Sequence, residues 1–304
     1  MNGPKNRTRK KIPALAAVAL MTALTGSILP AKRVQAAPSG IQVNLAASGF
    51  NALSAKSDVA EMWAYIEKNA ASSSQATVTV WLRRLETVQN KRLPGLEAAL
   101  SQESLQNALM TTDGIYGDWK KGTRTGNAQA DKLLAEIEKN GYVLDSTEGY
   151  FFPKIDYLRY LKQASRTTER YADYLKIRSD ETVSELTKDA GLMVSWTELV
   201  ARAERQSRYL VSYPNTPETA TVQQMYDQSL YIVLYGTDNV PLFDYDTRKI
   251  DSEAKAAYQK QVRTGSQSSF TKLLRNYTRV LEQNGGKLTK SVEAFRDVRN
   301  PWVE

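Results

Sequence analysis

Apolar residues recur along most of this chain at three- and four-residue intervals, the period of one buried helix face. In "SDVAEMWAYIEKN" (57–69) Ser57 stands as an N-cap ahead of Val59, Met62 and Ile66. "TVTVWLRRLETVQNKRLPGLEAALSQESLQNALM" (77–110) predicts one long helix kinked at Pro94, or two in succession. "NAQADKLLAEIEKNG" (127–141) predicts a capped helix closed by Gly141. "SWTELVARAERQSRYLVSYP" (195–214) opens with a capping box from Ser195 to Glu198. "NTPETATVQQMYDQSLYIVLYG" (215–236) sets Thr216 at the N-cap, Pro217 at the first helical position and Gly236 just past the end. Helices over about 249–263 and 269–284, and a short one from Thr289, complete the pattern.

No segment alternates convincingly with a period of two, so the expected class is all-α. The pattern predicts about eight to ten helices, arranged as an irregular bundle or a short helical-repeat array. The pair at 195–236 resembles the helix–turn–helix unit of tetratricopeptide-type repeats in geometry, without their full consensus. "IEKNA" (66–70), "IEKNG" (137–141) and "LEQNG" (281–285) are similar helix ends, as a repeat or ordinary C-caps would give. The glycine-rich stretch 111–127 has no periodicity and marks one place for a subdivision of the helical region 57–304; residues 179–195 mark another.

The N-terminus changes the reading of charge. Lys5, Arg7, Arg9, Lys10 and Lys11 precede an apolar run from Ala14 to Leu29, and "VQA" then supplies small residues before Ala37. These are the parts of a secretory signal peptide, expected over 1–36 with cleavage after Ala36 and a flexible segment over 37–56. The apolar run is short of the ~20 residues a spanning helix needs, so no stable membrane insertion is expected after cleavage. Seven of the 41 Lys/Arg and none of the 33 Asp/Glu lie before residue 37, which leaves 34 cations against 33 acids. Without a basic face, nucleic acid is not an expected partner. A cysteine-free exported chain with a long basic leader has the style of Gram-positive secretion.

The chain has no cysteine and no histidine. That excludes disulfide framing, histidine-based nucleophilic triads and histidine-ligated zinc. An enzyme here would have to work with carboxylates, Tyr, Lys or Ser–Lys. The segment "EGYFFPKIDYLRYL" (148–161) is the densest candidate, in a region with eight aromatic residues in 33 positions. Tyr150, Phe151, Tyr157 and Tyr160 could form a binding platform with Glu148 as acid and Asp156 as base or nucleophile, since paired carboxylates suffice for glycoside cleavage. The favoured reading is a plug: Phe151 and Phe152 staple a helix that begins at Pro153. On that helix Asp156 faces away from the rings, one turn from Arg159.

Two weaker patterns remain. Ser252 and Lys255 have S-x-x-K spacing without its companion motifs. Asp238, Asp244 and Asp246 offer hard oxygen ligands of the kind Ca²⁺ takes, but the EF-hand pattern fails. The expectation is a secreted, non-catalytic helical interaction or scaffold protein without cofactor, binding an extracellular protein or a cell-wall component. The alternative is a carboxylate-based hydrolase acting on glycan or cell-wall polymer.

Overall fold

Helix follows helix wherever the 3.6-residue pattern is strong. The computed structural model describes residues 48–56, 58–112 and 122–302, all within one unit that runs from Gln42 to Glu304. The leader, its cleavage at Ala36, the N-cap proposed for Ser57 and the middle of the 111–127 stretch lie outside the described residues.

Twelve α-helices make the fold mostly helical among the described residues. They are α1 (Ser48–Lys56), α2 (Val59–Asn69), α3 (Gln75–Leu100), α4 (Glu103–Met110), α5 (Ala128–Lys139) and α6 (Tyr157–Leu161) in the first half. In the second half come α7 (Glu169–Val183), α8 (Trp196–Ser212), α9 (Thr219–Tyr235), α10 (Ser252–Arg263), α11 (Ser269–Gln283) and α12 (Lys290–Asp297). No described helix is long and apolar enough to cross a membrane.

Several predicted boundaries hold. Asn127 accepts from the amides of Gln129 and Ala130, and Ser195 from that of Glu198. Gly236 ends α9 at φ +80°, where an added Cβ would come within 2.3 Å of the Leu242 amide nitrogen. The start of α9 differs: Glu218, not Thr216, occupies the cap position. Pro94 does not divide α3; its missing donor is tolerated within a 26-residue helix, and the break comes at Ser101 and Gln102. Residues 48–56, expected to be flexible, form α1, because Phe50 is buried against Tyr65 and Trp81 at ring separations of 5.6 Å each.

The largest departure is at 142–155. Instead of a helix from Pro153, the chain forms an antiparallel hairpin of β1 (Tyr142–Thr147) and β2 (Tyr150–Ile155), with Leu144 opposite Pro153 and Thr147 opposite Tyr150. Its inner face alternates as a strand should: Tyr142, Leu144, Ser146, Phe151, Pro153 and Ile155 are all buried. Glu148 and Gly149 make the turn at φ +48° and +79°, the two left-handed residues that match a hairpin's twist. Proline is tolerated because a two-stranded ribbon leaves one side of each strand unpaired. A second short hairpin, β3 (Thr187–Lys188) with β4 (Gly191–Leu192), turns through Asp189 and Ala190 at φ +48° and +60°.

The apolar core has two main parts. One gathers α1 to α3, the hairpin, α6 and α7 around Trp63, Leu82 and Tyr160; the other gathers α8 to α12 around Leu199, Phe270 and Tyr277. Along the chain the change from one to the other falls between Ile177 and Leu186, within the single unit that holds both. Tyr209 of α8 and Val222 of α9 join the first part, so the α8–α9 pair is common to both.

Candidate functional site

The aromatic segment does not form a platform. Phe151 is 1% exposed and packs with Leu100, Leu109, Leu134 and Leu144. Tyr157 and Tyr160 are buried, and only Tyr150 of the four proposed rings is exposed, at 42%. Phe152 faces the outer side of the hairpin and is half-buried rather than a core plug. Asp156 is buried and caps α6, accepting from the amides of Leu158 and Arg159. The Arg159 guanidinium instead pairs with Glu67 at 2.9 Å and lies over Trp63 at 4.4 Å. Glu148 is exposed at the hairpin turn. The proposed acid and base thus occupy different environments, one solvated and one consumed as a helix cap.

What the buried tyrosines surround is Glu86 of α3. Tyr157 and Tyr174 donate to its Oε1 at 2.6 and 2.5 Å, and Tyr171 donates to Oε2 at 3.0 Å. Arg178 donates to the Tyr157 hydroxyl at 2.9 Å and stacks 4.3 Å from its ring, so a guanidinium balances the carboxylate through a phenol. Burial pushes Tyr160, Tyr171 and Tyr174 well above the ordinary tyrosine value. Tyr160 donates to Gln89 Oε1, while Gln89 Nε2 donates to the carbonyls of Asn140 and Gly141. Apart from Arg178 Nε, which is buried without a hydrogen-bond partner, the polar groups named here engage one another, which is the pattern of a structural network.

The aspartates proposed for Ca²⁺ do not combine. Asp244 accepts from the amide and hydroxyl of Thr247, bonds that hold its carboxyl below the usual range. Asp238 and Asp246 are exposed, and among the described residues no group of three or more acids gathers to hold a metal. Ser252 begins α10, and Lys255 faces a surface cavity of about 230 Å³ with Ile250, Tyr258, Leu281 and Glu282. Ser252 does not line it.

Asp189, which the sequence pattern did not mark, joins three loops. Its Oδ1 accepts from the Thr147 hydroxyl at 2.8 Å and the Glu148 amide at 3.1 Å. Its carbonyl accepts from Asn239 Nδ2 at 2.8 Å, and the Asn239 amide donates to Ala190 O at 3.0 Å. The β1–β2 turn, the β3–β4 turn and the loop around 238–240 therefore form one surface. Glu148, Asp189 and Asp238 are exposed on these loops, and Tyr150 and Met193 (51% exposed) add apolar area. Among the described residues, three of the five non-glycine positions with positive φ lie here, at Glu148, Asp189 and Ala190. Such conformations persist only where surrounding bonds over-determine them.

Beneath this surface lies a charge cluster. Asp145, on the outer face of β1, pairs with Lys154 of β2 and with Lys188 of β3 at 3.2 Å. Lys188 also pairs with Glu185 at 3.7 Å, and burial first, then the neighbouring Asp145, pushes the Glu185 carboxyl up to about 7. Asp145 is held down to about 2, burial being outweighed by its bonds to Glu185, Lys154 and the Ser146 amide. The strand alternation of 142–147 was the signal that would have exposed Asp145, had the buried Ser146 not disguised it. In a comparison with protein-family models, curated proteins and solved structures, the chain matches none.

Proposed function

We propose that the protein is an exported, non-catalytic helical interaction protein whose three-loop surface around Asp189 receives a cationic segment of an extracellular partner protein. The observation that carries this reading is the fastening of three loops through one aspartate. Loops are where recognition concentrates, and loops already fixed by hydrogen bonds lose little further entropy on binding. Exposed Glu148, Asp189 and Asp238 favour lysine and arginine and disfavour an anionic polymer, while Tyr150 and Met193 supply the apolar contact.

The hydrolase alternative is less well supported. Its two proposed carboxylates are separated in environment, as described above. Asp145 and Glu185, a second pair of acids, share Lys188, and Asp145 also pairs with Lys154. Glycoside cleavage places its carboxyls ~5 to 9.5 Å apart, with the sugar between them. Here both acids are held by the same ammonium instead.

The test uses defined peptides against the mature protein. A lysine- and arginine-rich peptide carrying one aromatic residue should bind, its glutamate counterpart should not, and added salt should weaken the complex. Tyr150→Ala and Asp238→Asn should each reduce the affinity without lowering the melting temperature. Equal affinity for the two peptides would refute the reading. Release of soluble reducing ends from purified cell wall would support the hydrolase instead.

A further inference from the structure

We propose that Asp145, Glu185, Lys154 and Lys188 form a proton-operated clasp that holds the connector 184–193 against the outer face of the β1–β2 hairpin. Its effect on binding rests on the three-loop reading above; the clasp itself does not.

The connector leaves α7 beside the first core and enters α8 in the second, so it crosses the hairpin at the point where the core changes over. Four elements meet around Glu185. From β1 comes Asp145, and from β2 comes Lys154, whose ammonium also donates to the Glu181 carbonyl at 3.1 Å. From β3 comes Lys188, 3.7 Å from Glu185 and 3.2 Å from Asp145. From α7 comes Glu181, whose carboxylate turns away to Arg202 at 3.0 Å and to the Leu186 amide at 3.1 Å. Arg202, pairing also with Glu198, donates to the Ser184 carbonyl at 2.9 Å. The connector is therefore tied at Ser184, Glu185, Leu186, Lys188 and Asp189.

The proton-dependent tie is the one between Glu185 and Asp145, whose carboxyls share the Lys188 ammonium. While the pair retains one, the Glu185 O–H donates to the Asp145 carboxylate. With that proton gone, two carboxylates face each other and the donor is lost. Lys188 still attracts both, so the connector loosens without being released.

The window follows from the two shifts. Glu185 stands at about 7 against an ordinary 4.5, so its contribution is complete below 4.5 and is lost as pH rises to 7. Asp145 stands at about 2 against 3.8, so its contribution is present above 3.8 and is lost as pH falls toward 2. The clasp is tightest from about pH 4 to 5 and reaches a looser plateau by about pH 8. Because the two acids interact, both values belong to the pair.

Hydrogen–deuterium exchange on the full mature chain tests it, reading the Leu186 and Glu148 amides, which are held by Glu181 and Asp189. After correction for intrinsic exchange chemistry, their opening should increase roughly fortyfold from pH 5 to 7 and level off by about pH 8. Glu185→Gln, which donates at any pH, should flatten the profile. Asp145→Asn should move the rise to lower pH, because Glu185 loses the acid that raises it. A flat wild-type profile, or the same rise in Glu185→Gln, would overturn the proposal. Titrating the cationic peptide over the same range separates the two claims. An exchange step without peptide binding at any pH leaves the clasp and removes the binding face. Binding with no exchange step does the reverse.

Discussion

Phe151→Ala measures how the aromatic segment is used. The ring is 1% exposed and enclosed by four leucines from α3, α4, α5 and β1. The backbone around it is fixed independently: the Phe151 amide donates to Gln106 Oε1, and Gln106 Nε2 donates to the Phe151 carbonyl, both at 2.9 Å. Truncation should therefore leave the strand in place and open a cavity. A phenylalanine buries at least ~150 Å² of side chain, which at ~25 cal/mol per Å² is about 4 kcal/mol. This falls within the ~3–5 kcal/mol seen for Phe→Ala in cores. Phe152→Ala, on the half-buried outer face, should cost about 1–2 kcal/mol. Denaturant melts of both variants supply the comparison, with unchanged slope as the sign that only stability moved. If Phe152→Ala shifts the midpoint further than Phe151→Ala, the inner and outer faces of the hairpin have been assigned the wrong way round.

Gly141→Ala should cost about 2–4 kcal/mol, because its φ is +74° and a Cβ would stand 2.3 Å from Trp63 Nε1. A melt within about 0.5 kcal/mol of wild type would contradict the close approach of α2 to this turn. Glu86→Gln should cost about 2 kcal/mol by stripping Arg178 of its balancing charge and one phenol of its acceptor, again read by denaturant melt; no loss would show the network to be dispensable. Burial raises Tyr142, Tyr157, Tyr160, Tyr171, Tyr174, Tyr258 and Tyr277 above the ordinary 10, so their phenolate absorbance should appear only with alkaline unfolding. Stability should fall as pH passes 10, where the unfolded chain begins to lose these protons. Gradual ionisation of all seven with the fold intact would count against their burial.

The helices were legible because their signals are local. Asn127, Ser195 and Gly236 act where their side chains or backbone freedom suggested. The hairpin was hidden by three features that each favour another reading. Pro153 suits a helix start, Ser146 breaks the apolar alternation, and the turn uses Glu148 where asparagine or aspartate would have announced it. Of the two readings of 77–110, two helices in succession holds, but the strong local signal of Pro94 drew attention away from Ser101, where the chain turns. The surface was legible only in fragments: Glu148, Tyr150 and Asp238 stood out separately for acid chemistry, stacking and calcium. Asp189, which joins their loops, contacts residues 41 to 50 positions away, a distance that local pattern cannot span.

The central claim is that the loops around Asp189 meet a partner. A photo-crosslinking residue placed at Tyr150 or Met193 tests it directly, with Val211, exposed at the end of α8, as the control position. The cationic peptide and the culture supernatant serve as targets. The account predicts that both surface positions capture the peptide and the same supernatant protein, that salt weakens both captures, and that Val211 captures neither. Crosslinking from Val211 alone, or none from Tyr150 and Met193 while the peptide is bound, would contradict it.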